Sequence, residues 1–330
     1  MKAPSLRIGW PARTGPRAFA TGPARRTGLP KLPPMTRSLR PPADPAPSAV
    51  PPGALAVAAD HGVAPGELRP LGKLGLRRPV TRLGGRGIVV EIAEDDEGRA
   101  RIRRELWGRS WAASAGVPTA VIHGSDPDGG WLVGEWVPAA PTGGQRYLDR
   151  AVQAALAVGS AVPPLPGPGA AVWRSPRRAA VLRTARAISG RMPMRLWWAA
   201  RTAARDLPQV PVAHGDFYHR NVLWRADRDE VCVIDWEYLG AGPRHGDLLR
   251  MWTILPDRRD RDSLLDRLLS ATPPAQHREI AALGLWLALR LLGENIKSPR
   301  TDRNAADLAH ARSIQPEARD LARTHDAWPL

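Results

Sequence analysis

The stretch from Val212 to Leu249 constrains the fold more than any other part of the chain. It combines the runs VAHGDFYHRNVL, VCVIDWE and GPRHGDLL. Val222-Leu223-Trp224 and Val231-Cys232-Val233-Ile234 are short β-rich runs, and the polar segment 225–230 between them has the pattern of a hairpin. Asp216 and Asn221 precede the first run, and Asp235 follows the second. A hairpin returns the chain to where it began, so these three side chains should converge at one end of it. Two carboxylates and an amide oxygen in one place are hard ligands suited to Mg²⁺ carrying phosphates. Taken singly, the pieces have plainer readings. An Asp can cap a helix, and an Asp after an apolar run can simply end a strand. No His-Glu-x-x-His or Cys/His cluster points to histidine as a metal ligand.

Together, the motifs resemble the aminoglycoside phosphotransferase and choline kinase family, relatives of the protein kinases. His214, Gly215, Asp216 and Asn221 meet the pattern H-G-D-x-x-x-x-N, with the spacing of the protein-kinase catalytic loop. Ile234-Asp235-Trp236-Glu237 is similar to the family's metal-binding segment. The resemblance implies an α+β, bilobal protein-kinase-like fold: a small antiparallel-sheet lobe with one helix, and a larger, mostly helical lobe. It implies ATP and Mg²⁺ as cofactors, Asp216 as the base or orienting group for an acceptor hydroxyl, and Asn221 and Asp235 as metal ligands. Asp247 resembles the family's third, structural acid, which ties the loop to the following helix. His214 is expected to orient the catalytic loop by hydrogen bonds, while His219 and His245 are expected on loop surfaces.

Residues 1–52 are rich in Pro, Gly and Arg without apolar periodicity, which predicts a disordered basic tail. Prolines interrupt its apolar runs, so it lacks the core of a secretory signal. Its acid-free, Arg-rich start weakly resembles an organelle transit peptide, and Met35 is an alternative start; a plain tail or an over-extended start is the favoured expectation. Residues 53–137 read as the small lobe: a helix at 53–60, strands within 68–93 with a turn over residues 84–87, a helix at 99–115, and strands at 119–122 and 131–137. By resemblance, Glu135-Trp136-Val137 is the hinge whose backbone binds adenine. Residues 138–330 form the helical lobe, with helices predicted at 146–162, 177–189, 195–206, 248–255, 262–269, 278–293 and 302–313, a loop at 163–169 and a polar tail at the end. Trp197, Trp198 and Trp286 read as core packing rather than as an aromatic pocket for a quaternary amine.

One position departs from the family. The strand before the helix should carry a lysine for the α/β-phosphates, and the aligned residue is Glu91. The helix glutamate that pairs with such a lysine would be Glu105. Two facing carboxylates beside a triphosphate would repel by roughly several kcal/mol at low effective dielectric. Three outcomes stay open: a different strand register, substitution by Arg82 or Arg86, or a lobe that does not bind ATP in the usual way. The last defines an alternative function, a catalytically impaired kinase-like binding protein. Intact Asp216, Asn221 and Asp235 argue against it.

The formal charge of +16 raises nucleic acid as a partner, but residues 1–34 carry seven of those charges with no acid. The remainder is spread thinly and suits phosphate-bearing small molecules equally well. Charge therefore does not separate the readings; the resemblance implies a small-molecule hydroxyl acceptor as partner, and a nucleic-acid-binding tail is the third reading. No apolar run approaches the ~18 residues of a membrane span. Cys232, the single cysteine, reads as a small buried hydrophobe; the chain has no internal disulfide, which fits a reducing cytoplasm.

Overall fold

β-Branched runs interrupted by glycine make the first sheet. The computed structural model describes residues 50–71, 79–138, 144–161, 194–295 and 302–328. These lie within the unit Pro45–Leu330. The predicted tail before residue 50, the loop at 163–169 and the helix at 177–189 lie outside the described residues. Strands β1 (Arg69–Pro70), β2 (Val80–Gly85), β3 (Ile88–Ala93), β4 (Ile122–Ser125) and β5 (Trp131–Glu135) form an antiparallel sheet in the order β1-β2-β3-β5-β4.

The β2–β3 turn falls at Arg86-Gly87, the second half of the turn predicted over residues 84–87. Gly87 takes the left-handed φ of 72° that a tight turn requires. Gly84 and Gly85 lie inside the strand instead, because neighbours approach closely. A Cβ on Gly84 would stand 2.8 Å from a Leu71 methyl, and one on Gly85 would stand 2.7 Å from a Val63 methyl.

The two faces of this sheet have different tasks. Leu83, Val90 and Val133 are register partners on one face. They pack with Ile88 and Ile92 against Ala54 and Ala58 of α1 (Pro52–Asp60). The opposite face carries Arg82 and Glu91, which are directly opposed on neighbouring strands. Helix α2 (Asp96–Ser114) covers part of that face. It begins three residues before the predicted start because Asp95 caps it, accepting the Gly98 N–H at 2.8 Å. The strand expected at 119–122 sits further on, at β4. Thr119 is drawn away to bridge Val233, and its hydroxyl donates to the Val233 carbonyl at 2.9 Å.

The remaining elements are mostly helical: α3 (Gln145–Ser160), α4 (Met194–Arg205), α5 (Gly246–Ile254), α6 (Arg258–Ser270), α7 (His277–Asn295) and α8 (Asp302–Thr324). Two short ribbons stand among them. One pairs β6 (Gln209–Ala213) with β9 (Gly240–Pro243); the other is the expected hairpin of β7 (Val222–Arg225) and β8 (Glu230–Val233). The β6–β9 ribbon has no counterpart in the sequence reading. The polar tail expected after residue 313 is instead the second half of α8. Ile314, Ala318, Leu321 and Ala322 are buried at helical spacing there.

Trp197 and Trp286 meet edge to face at 4.9 Å in the core, while Trp198 points outward beneath Arg201. Among the described residues, no helix is long and apolar enough to cross a membrane. The architecture is the α+β kinase-like arrangement expected, with α1 added to the outer face of the small sheet.

Candidate active site

The hairpin places the site residues. Val222 pairs with Val233, and the Ile234 N–H donates to the Asn221 carbonyl at 2.8 Å, carrying the ladder one step beyond the strands. Asn221 and Asp235 are thereby brought to the same end of the hairpin. Asp235 turns sharply there, with φ 67° and ψ 58°, left-handed values that Asp tolerates better than most residues. Asp216 joins them through Asn221, whose amide nitrogen donates to the Asp216 carbonyl at 3.0 Å and to its Oδ2 at 3.2 Å. With the nitrogen so used, the amide oxygen of Asn221 is the atom it can offer a cation.

The loop itself is tied from below. Asp247, at the start of α5, accepts the backbone N–H groups of His214 at 2.7 Å and Gly215 at 2.9 Å. Gly215 adopts φ 83°, which favours glycine. His214 is fully buried, with Nε2 donating to the Ile234 carbonyl at 3.0 Å and Nδ1 accepting the Asp216 N–H at 3.2 Å. That pattern selects one neutral tautomer, and burial lowers the ring's pKa. The imidazole thus orients both acid-bearing loops and is not placed to carry protons. Burial also raises the carboxyl pKa of Asp247, against the opposing effects of His214 and the two N–H donors.

Two residues at the site had no role of their own in the sequence reading. Arg250 of α5 donates to Asp216 Oδ1 at 2.5 Å, and its guanidinium lies 5.9 Å from the Tyr218 ring. A cation three residues after Asp247 shares that residue's helix face, which was the available signal. Trp236 is the second. Its indole N–H reaches Thr119 Oγ1 at 2.9 Å and the Val233 carbonyl at 3.0 Å, and its ring meets His214 at 4.6 Å. Helix α2 rests directly on it at Gly108, where a Cβ would lie 2.5 Å from Trp236 Cβ.

Glu91 and Glu105 occupy one wall of a cavity of about 320 Å³, which Arg82, Arg101, Asp235 and Glu237 also line. The two glutamates are separated by arginines. Arg109, one turn after Glu105, holds it at 2.5 Å and lies 4.0 Å from Glu91. Arg82 pairs with Glu91 at 3.1 Å and with Asp235 at 3.1 Å. Its guanidinium is held more firmly in the charged form by Glu91 above all, then by Asp235. Burial raises the pKa of Glu105, an effect that Arg109 opposes. Arg86 lies in the β2–β3 turn, away from the cavity lining.

At the predicted hinge, the N–H of Glu135 is already bound to the Val121 carbonyl at 2.8 Å, and that of Trp136 to the Gly87 carbonyl at 2.9 Å. The Glu135 carboxylate accepts from Val121 N–H and from Arg225. Val137 instead packs with Ala120, Leu223 and Cys232, with Ile234 alongside, in a small apolar floor. His219 and His245 are both partly buried, and His245 pairs with Gln276 at 2.9 Å.

Comparison with solved structures recovers the same architecture. A choline/ethanolamine kinase family protein from Mesorhizobium loti matches with a TM-score of 0.52 at 17% identity, covering 79% of this chain and 89% of that one. A putative aminoglycoside phosphotransferase from Ralstonia eutropha gives 0.51 at 16% identity, covering 82% and 98%. An amicoumacin kinase in complex with AMP-PNP and Ca²⁺ gives 0.51 at 11% identity, covering 77% and 89%. No curated protein matches in sequence. The model of the phosphotransferase enzyme family, APH, matches residues 75–286, well over half of the chain, and spans both the cavity and the catalytic loop. The chain is a member of the phosphotransferase enzyme family.

Proposed function

We propose that the chain moves the γ-phosphoryl group of ATP, with Mg²⁺, to a hydroxyl of a small molecule. The convergence of Asp216, Asn221 and Asp235 at the end of one hairpin, beside the charged cavity, carries this reading. The donor set fits Mg²⁺. Among the described residues, no group of three His, Cys, Asp or Glu could hold a metal alone. Mg²⁺ commonly takes one or two protein ligands and completes its shell with phosphate oxygens and water. Asp235 would supply a carboxylate oxygen and Asn221 its amide oxygen. When bound, the metal neutralises charge on the phosphates. The amicoumacin kinase, seen with a nucleotide analogue and a divalent cation, supports that pairing on this fold.

The chain's own residues account for positioning. The floor of Val137, Leu223, Cys232 and Ile234 suits an adenine ring. With the Glu135 and Trp136 N–H groups committed, Val137 is left as the hinge residue to meet that ring's edge. Asp216 receives the acceptor hydroxyl and takes its proton as the acceptor oxygen bonds to the γ-phosphorus. The bond from that phosphorus to the β–γ bridging oxygen breaks, and ADP leaves. Arg250 and Asn221 fix the carboxylate from two sides. Such chemistry depends on alignment and charge neutralisation more than on covalent catalysis.

ATP consumption against a panel of hydroxylated metabolites and antibiotics tests the reading. Asp216→Asn should lower turnover by about 10²- to 10⁴-fold, the usual scale for a general base, while nucleotide still binds. Asp235→Asn should abolish Mg²⁺-dependent turnover with the fold intact; turnover at the parental rate would remove Asp235 from the metal site. The rival reading, a kinase-like protein that binds without reacting, draws on Glu91, and requires that no acceptor in the panel stimulates ATP loss.

A further inference from the structure

The cavity contains a cation on the wrong strand. The position where a phosphate-binding lysine is expected holds Glu91, and its direct cross-strand neighbour is Arg82. Opposed residues on adjacent strands stand about 5 Å apart at Cβ and project to the same face. A guanidinium carried by β2 can therefore reach the space that an ammonium from β3 would fill. Burial separates the two roles. The Arg82 side chain is 42% exposed and lines the cavity, whereas that of Glu91 is 6% exposed beneath it.

We propose that Arg82 is the residue that meets the nucleotide phosphates in this chain, with Glu91 as its anchor. The proposal rests on reading the cleft as a nucleotide site. The rest of the cluster is consistent with a relocated charge. Glu105, without a lysine to receive it, is satisfied by Arg109 on its own helix. Its second oxygen, Oε2, is buried without a hydrogen-bond partner among the described residues. One turn of α2 thus keeps a buried, open acceptor on a residue that lines the same cavity as Glu91. Arg86, four residues further along, would lie about 13 Å from Arg82 at the usual rise of a strand, too far to share its position.

Arg82 is also the cation on Asp235. Phosphate binding would draw the guanidinium off that carboxylate and release it for the metal, so the two events should be linked. Asp235 and Arg82 can serve each other when the cleft is empty of nucleotide, and serve phosphate and cation when it is filled.

The experiment moves the charge back. Affinity for Mg²⁺–ATP is measured by calorimetry on the full chain for the parent, Arg82→Lys, Arg82→Ala, Arg82→Ala/Glu91→Lys and Asp235→Asn, with the melting temperature of each. Arg82→Ala should bind at least tenfold more weakly. The double variant should recover most of that loss, because a lysine at position 91 meets both the phosphates and the open oxygen of Glu105. Arg82→Lys should fall between parent and Ala, and serves as the conservative variant if Ala melts early. Parental affinity in Arg82→Ala, with binding lost in Asp235→Asn, would overturn the proposal and leave the kinase reading standing. Unchanged binding in both would overturn the nucleotide reading of the cleft. A loss in Arg82→Ala that the relocated lysine does not restore, at unchanged melting temperature, would also overturn it, since Arg82 would then act by holding Glu91.

Discussion

His214 shows how one buried side chain can organise two loops. Its two ring nitrogens join the Asp216 N–H to the Ile234 carbonyl, so the loops that carry Asp216 and Asp235 share a strut. The strut has a pH signature. Burial lowers the folded-state pKa of His214, while the unfolded ring titrates near its ordinary 6.5. Below that value the unfolded chain gains a proton that the folded site resists, so this contribution is present at neutral pH and fades as pH falls. His214→Gln has no ring to titrate. Its deficit in melting temperature relative to the parent should therefore narrow between pH 7.5 and 5.5. A gap that stays constant across the range would mean that the folded ring titrates as freely as the unfolded one. The motif made this residue legible, because His214, Gly215, Asp216 and Asn221 fall within one eight-residue run and their spacing carries the geometry. Arg250 and Trp236 were not legible in the same way. Their contacts, with Asp216 34 residues away for Arg250 and with Thr119 117 residues away for Trp236, exist only once distant elements meet.

At the scale of elements, periodicity located most helices but misjudged their ends. The outer face of α8 carries Asp307, Arg312, Asp320 and Arg323, so its second half read as a polar tail. Its inner face is nonetheless apolar. A Cβ on Gly284 of α7 would lie 3.3 Å from a Leu321 methyl, which measures how closely the two helices approach. Leu321→Ala should cost about 2–3 kcal/mol, the lower part of the range for a buried leucine. Urea denaturation would reveal it, and a change under 0.5 kcal/mol on the order of a surface substitution would place the second half of α8 outside the core. The β6–β9 ribbon was missed for another reason. It pairs strands 27 residues apart across the catalytic hairpin, and β9 is Gly-Ala-Gly-Pro, a composition with little strand propensity of its own. Partnership, not local preference, makes it a strand. The contact of α2 with Trp236 is similar. Gly108 looks like a weak point in a helix until the indole beneath it is known. Gly108→Ala should cost about 1–3 kcal/mol by overpacking, and should also displace Glu105 from the cavity wall together with its partner Arg109.

For the molecule as a whole, α2 is the member that both halves need. Trp111 and Ala112 are buried in the large helical core, while Glu105 and Arg109 serve the cavity under the small sheet. A helix shared in this way should make the two halves melt together, so a nucleotide bound at the sheet should protect the entire unit Pro45–Leu330. The charge of the cavity then decides which ligand form can bind. Glu91, Glu105, Asp235 and Glu237 line it with Arg82 and Arg101, and Arg109 stands behind the first two glutamates, so four carboxylates are set against three guanidinium groups. Free ATP adds several negative charges to a wall that is already anionic. On the proposed reading, the Mg²⁺ complex would bring its own neutralisation and would give Asp235 a cation in place of Arg82. ATP in excess EDTA should therefore leave the melting temperature nearly unchanged, and Mg²⁺ alone should move it little. Mg²⁺ with ATP at a hundredfold excess over Kd should add about 2.7 kcal/mol, seen as a rise of several degrees in a single transition. Equal protection by ATP in EDTA would show that the carboxylates do not control entry. Two separate transitions, with only one moved by Mg²⁺–ATP, would show that α2 does not couple the halves.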